Sequence, residues 1–180
     1  IKLQVKPFTN RNMKIPQPKE YARDQVTKNE IYGELVKAGI SKGYTVIPEF
    51  RVFLNNGDRH KDIDLVWATR KPLIEPTLIV DNLDIWHIHA AFEIDACDVR
   101  AHIQGKEFNR HLADLPEIMN RNPSTPIHLF VVLYTDAYDR NWNRSRNITL
   151  DIQQRRDWAK EKKNSVKIID GRDLNVILTL

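Results

Sequence analysis

One cysteine, six glycines and two methionines among 180 residues exclude several kinds of protein at the outset. The lone Cys97 can build neither an intrachain disulfide framework nor a multi-thiolate zinc site, and this usage fits a reducing cytoplasm. Cys97 itself reads as a small buried residue beside an acidic strand. There is no glycine-rich phosphate loop and no Gly-x-Ser-x-Gly elbow. No apolar run approaches the length of a bilayer span, and no charged-then-apolar leader opens the chain, so no membrane partner is expected. Without such a leader, the sequons Asn143-Arg144-Ser145 and Asn147-Ile148-Thr149 read as chance matches. Neither internal repeats nor low-complexity stretches occur.

A hydrophobic content of 41% over this length is enough for one well-buried core, and a single soluble domain is the expectation. The net charge is only +4, so its distribution matters more than its sum. Residues 1–29 hold seven Lys or Arg against two acids, and residues 138–167 hold nine against four. Two basic stretches thus flank an acidic centre, an arrangement that suits a polyanion approaching bound metal as well as it suits solvated surface.

That centre carries the chemistry. Lys61-Asp62-Ile63-Asp64-Leu65-Val66-Trp67 and Phe92-Glu93-Ile94-Asp95-Ala96 both set carboxylates at alternate positions in apolar, strand-like runs. Alternation puts Asp62 with Asp64 on one side and Glu93 with Asp95 on one side. Like charges in an apolar sheet are costly unless neutralised, and a divalent cation is the usual agent. The four carboxylates therefore form a candidate Mg²⁺ site.

The elements follow from pattern. Residues 1–26 carry three prolines and no period, and read as a basic extended arm. Thr27-Lys28-Asn29-Glu30 is a capping box, and Ile31, Leu35 and Ala38 predict a helix from Lys28 to Ser41. Tyr44 to Leu54 reads as a strand, either on an edge or starting after Pro48. The Asn55-Asn56-Gly57-Asp58 turn joins it to an antiparallel strand from Arg59 to Thr69. A third strand is predicted from Leu83 to Ala96, and a helix from Val99 to Asn120 on the spacing of Ile103, Phe108, Leu112, Leu115 and Met119. Ile127 to Tyr134 suits a fully buried parallel strand. A helix from Thr149 to Lys163, a strand from Val166 to Asp170 and a last helical turn complete the chain. This order implies an α/β fold with a mixed central sheet flanked by helices on both faces, its core in 27–134 and a basic C-terminal part in 135–180.

Helix, three strands with acids on the second and third, helix, strand: the chain resembles the PD-(D/E)xK nuclease superfamily, which includes type II restriction endonucleases. The resemblance runs from about Glu30 to Tyr134. It implies a restriction-endonuclease-like sheet and one or two Mg²⁺ ions, with Asp64 and Glu93 as metal ligands. Asp95 and the helix residue Glu34 would be further catalytic groups, and Asp62 accessory. Glu34 is preferred to Glu30, which the capping box explains. Where the family has Lys, this chain has Asp95, so the signature is Glu-x-Asp; Asp95 would bind metal or orient water, and Lys106, or Gln104, would be a migrated substitute.

The resemblance implies a Mg²⁺-dependent DNA endonuclease, most simply a restriction endonuclease or its catalytic subunit. One site cuts one strand, so double-stranded DNA would require a homodimer or a heterodimer with a second DNA-cutting subunit. Tyr138, Arg140, Trp142, Arg144 and Arg146 form a cationic, aromatic loop suited to contacting DNA. The alternatives are an inactive nuclease-fold DNA-binding module and a structure-selective repair nuclease. His87 and His89 share a strand face, but no third ligand stands at a zinc spacing, and they read as core-edge or DNA-facing residues.

Overall fold

The computed structural model describes residues 26–54, 59–72, 81–97, 106–121, 126–136 and 148–180. In chain order these hold α1 (Lys28–Ser41), β1 (Thr45–Leu54), β2 (Arg59–Arg70), a short α2 (Asn82–Ile85), β3 (Trp86–Ala96), α3 (Lys106–Arg121), β4 (His128–Tyr134), α4 (Ile148–Glu161), β5 (Lys167–Asp170) and α5 (Asn175–Leu178). The five strands form one sheet in sequence order, with β1–β2 and β2–β3 antiparallel and β3–β4 and β4–β5 parallel. The α/β class and the mixed sheet are as the sequence implies.

The sheet separates two cores. On one face Phe108, Leu112, Leu115 and Ile118 of α3, with Ile152 and Ala159 of α4, pack on Val66, Ile88, Val131 and Ile168. On the other, Ile31, Leu35 and Ala38 of α1 and Ile177 of α5 pack on Leu65, Trp67, Phe92 and Phe130. Strand β4 contributes to both, which is why its apolar run is continuous rather than alternating.

Local signals account for the ends. Thr27 Oγ1 accepts the Glu30 amide at 3.1 Å while Glu30 Oε2 accepts the Thr27 amide at 2.7 Å, the reciprocal box read from sequence. Gly39 lets α1 approach the sheet: a Cβ there would lie 2.5 Å from Trp67 Nε1, which donates to the Leu35 carbonyl at 3.0 Å. Pro116 lies inside α3 and cannot donate to the Leu112 carbonyl; the Asn164 amide takes that acceptor at 2.6 Å. Strand β1 lies at an edge of the sheet, and side chains cover part of it. Asn82 donates to the Arg51 carbonyl, Asp81 accepts the Phe53 amide, and Arg121 donates to both the Phe53 carbonyl and Asp81.

Two expectations need correction. The third strand does not start at Leu83: Asp81 and Asp84 form a second capping box, which turns 82–85 into a helical turn and delays the strand to Trp86. Asp62 and Asp64 are not equivalent either. Ile63 and Val66 pack on the α3 face, while Leu65 and Trp67 pack on the α1 face, so alternation breaks at Asp64. The partner strand breaks at the same level. Glu49 has φ 45°, and the pairing passes from Pro48↔Leu65 to Phe50↔Ile63 without it. The helix start predicted at Val99 and the turn at 55–58 lie outside the described residues.

Candidate active site

The β2–β3 ladder ends at Leu65↔Phe92, while β2 continues with β1 to Arg59 and β3 continues with β4 to Ala96. The two central strands therefore part at Asp64. At the fork the carboxylate replaces a strand: Asp64 Oδ2 accepts the Ile94 amide at 2.8 Å, and Oδ1 takes Lys28 Nζ at 3.1 Å. The Asp64 side chain stays partly exposed.

Below the fork, on the α3 face, lies a buried charge cluster. Glu93, 4% exposed, meets Lys61, 8% exposed, with Nζ 2.8 Å from Oε1. Lys61 is thus the direct partner of Glu93 Oε1, and its ammonium pulls the carboxyl down against the cost of burial. Helix α3 contributes His111 and Asp114, three residues apart on its inner face. His111 Nδ1 is 3.3 Å from Lys61 Nζ, and its Nε2 is 3.6 Å from Asp95 Oδ2. Asp114 binds Arg59 through both oxygens, at 2.7 and 3.1 Å, and its Oδ2 is 3.8 Å from Lys61 Nζ. Asp95 Oδ1 accepts the amide of Ala96.

Burial dominates the electrostatics. It pushes the Glu93 carboxyl up to about 7 against the pull of Lys61, with Asp64 and Asp95 adding to the rise. Burial raises Asp95 as well, opposed by the Ala96 amide. His111 moves the other way, to about 4, through burial and the cations of Lys61 and Arg110.

These opposed shifts predict a pH signature. Glu93 ionises near 4.5 unfolded and near 7 folded, so its contribution to stability is lost as pH rises across that window. His111 protonates near 6.5 unfolded and near 4 folded, so its contribution is lost as pH falls from 6.5 to 4. Between 4.5 and 6.5 the two cancel. Urea midpoints are expected to be nearly flat there for the parent, to fall with rising pH in His111→Gln, and to rise with pH in Glu93→Gln. Parallel profiles for the three proteins would refute the opposed shifts.

The sequence-derived residues divide clearly. Asp64, Glu93 and Asp95 are brought to the fork. Asp62 faces away and is held bidentately by Arg51 at 2.7 and 3.0 Å. Glu34 lies on the exposed side of α1, paired with Lys37 at 2.9 Å, and makes none of the cluster's contacts. Lys106 opens α3 at an exposed position. Gln104 and the DNA-contacting candidates Tyr138, Arg140, Trp142, Arg144 and Arg146 lie outside the described residues. His89 bonds Thr69 at 2.9 Å and stacks on Tyr44.

Lys61, His111 and Asp114 were not singled out from sequence, although each left a signal. Lys61 shares alternation with the buried Ile63, and His111 and Asp114 interrupt the apolar stripe of α3. The neutralising cations at the fork are lysines: Lys28 on Asp64 and Lys61 on Glu93. Among the described residues, no group of three or more His, Cys, Asp or Glu side chains is arranged to hold a metal ion, and no helix is long and apolar enough to cross a membrane. No family model, curated protein or solved structure matches the chain.

Proposed function

We propose that the protein is a Mg²⁺-dependent deoxyribonuclease with a restriction-endonuclease-like fold. The observation that carries this reading is the gathering of Asp64, Glu93, Asp95 and Lys61 where β2 and β3 part. The sheet order supports it, with three antiparallel strands followed by parallel ones and a helix on the far side of the first strands.

The donors are carboxylate oxygens, the kind a hard divalent cation takes, and an ion there would compete with Lys61 for Glu93 Oε1 and with Lys28 for Asp64 Oδ1. Asp64 and Glu93 would hold the ion, with Asp95 beside them. When bound, the ion would supply an acidified water and neutralise charge on the phosphate. The chain's own groups do the rest. Lys61 provides the cation that the Glu-x-Asp signature lacks, reaching the third-strand acid from the second strand. Asp95 orients water, and Lys28 at the exposed lip faces an incoming phosphate. DNA is the partner, held by the basic stretches of residues 1–29 and 138–167, and duplex cleavage requires a second subunit, identical or different.

The two lysines on the carboxylates favour one second reading, a DNA-binding module in which they have replaced the metal. Supercoiled plasmid separates the two. Nicking with Mg²⁺ that stops with EDTA supports the nuclease, whereas salt-sensitive binding without nicking at any Mg²⁺ concentration supports the module.

A further inference from the structure

We infer that His111 is a positioning residue whose imidazole bridges the Lys61 ammonium and the Asp95 carboxylate, and so fixes where both stand beside Glu93. The inference deepens the nuclease reading and rests on it for any effect on cleavage; the geometry stands by itself.

His111 is 6% exposed and lies in the apolar stripe of α3, flanked by Phe108, Leu112 and Leu115. Three groups face its ring. Lys61 Nζ is 3.3 Å from Nδ1, Glu93 Oε2 is 3.7 Å from Nδ1, and Asp95 Oδ2 is 3.6 Å from Nε2. An ammonium has donors only, so its contact with Nδ1 requires a lone pair there. A neutral imidazole carries one ring proton, which is thereby placed on Nε2, the nitrogen beside Asp95. The 3.6 Å separation exceeds a direct hydrogen bond, so this link is the electrostatic attraction of the Nε2–H dipole to the carboxylate. Lys61 thus selects the tautomer, and the tautomer presents a donor to Asp95. The other charged groups around the ring are Asp64 on β2 and Arg110 and Asp114 on α3; Asp114 is already engaged by Arg59.

This arrangement does what a lysine at position 95 would do from one side chain. The positive charge sits on β2, the acid on β3, and the imidazole from α3 sets their separation. A ring with either nitrogen removed breaks one link and leaves the other.

The test uses the whole protein labelled with ¹⁵N, with the His111 signals assigned through His111→Gln. Long-range ¹H–¹⁵N spectra near neutral pH are expected to show a neutral ring protonated at Nε2. Lys61→Met is expected to mix or invert the tautomer, and Asp95→Asn to keep it. A ring protonated at Nδ1, an imidazolium, or a Lys61→Met spectrum identical to the parent overturns the bridge; if Lys61→Met does not fold, the parent spectrum alone decides. In plasmid nicking, His111→Gln and His111→Asn should each lower kcat about 10- to 100-fold with little change in KM. A lower melting temperature with unchanged kcat also overturns it. If the parent itself does not nick, the nuclease reading fails while the tautomer still judges the bridge.

Discussion

Glu93→Gln is expected to abolish Mg²⁺-dependent nicking while leaving folding and DNA binding intact. The substitution keeps shape and volume, so α3 should remain packed against β3. What it removes is a buried carboxylate whose Oε1 stands 2.8 Å from the Lys61 ammonium. Metal-assisted hydrolysis draws several kcal/mol of transition-state stabilisation from the ion, and at 1.36 kcal/mol per tenfold its loss corresponds to a rate lower by on the order of 10³. Stability should not fall in parallel. Above about pH 7 the parent carries an ionised carboxylate against the cost of burial, and glutamine removes that cost. A variant that nicks at the parent's rate would remove Glu93 from the site and with it the nuclease reading. A variant that unfolds would show instead that the ion pair with Lys61 holds β2 to β3 below the fork. The companion change Arg144→Ala, in the basic stretch of residues 138–167, should weaken DNA binding and leave the metal dependence of nicking unchanged.

Phe92→Ala is expected to be the most damaging change to the fold, although it lies next to the site and touches none of its charges. Phe92 is fully buried on the α1 face, stacked on Phe130 at 5.3 Å and edge-on to Trp67 at 4.9 Å. Truncation removes both ring contacts and leaves a cavity between two strands that cannot close without bending the sheet. A loss of about 3–5 kcal/mol is the expected cost. In a chain of this length that lowers the melting temperature by roughly 10 °C. Urea unfolding measures it directly, and a loss under about 1 kcal/mol would mean the α1 face repacks freely. Because Phe92 and Glu93 point to opposite faces, the two variants separate stability from chemistry at adjacent positions.

Much of the architecture was legible without coordinates because it is written in local pattern. The capping box at Thr27, the spacing of Ile31, Leu35 and Ala38, and the continuous run from Ile127 to Tyr134 each specify one element with little dependence on the rest. The misplaced start of the third strand has an equally local cause. Asp81 and Asp84 are a capping box read over because an apolar run follows immediately. The candidate site, as a cluster of charges, was legible in part. Asp64, Glu93 and Asp95 stand out because acids inside apolar strands demand compensation. Glu34 did not meet them, since a helix face near an apolar stripe gives only a direction, and Lys37 is the nearer partner.

Composition and periodicity by themselves determined an α/β chain with a mixed sheet, helices on both faces and carboxylates at its middle. Only the tertiary structure decided which groups answer those carboxylates. The reason is that the break in alternation at Glu49 and Asp64 involves two strands at once. It turns Asp62 outward to Arg51 and directs Lys61 inward to Glu93. His111 and Asp114 arrive from a helix some fifty residues further along, where periodicity can mark them as out of place but cannot say what they meet. A strand pattern fixes a face only while the strand stays regular, and here the charge cluster sits where it does not.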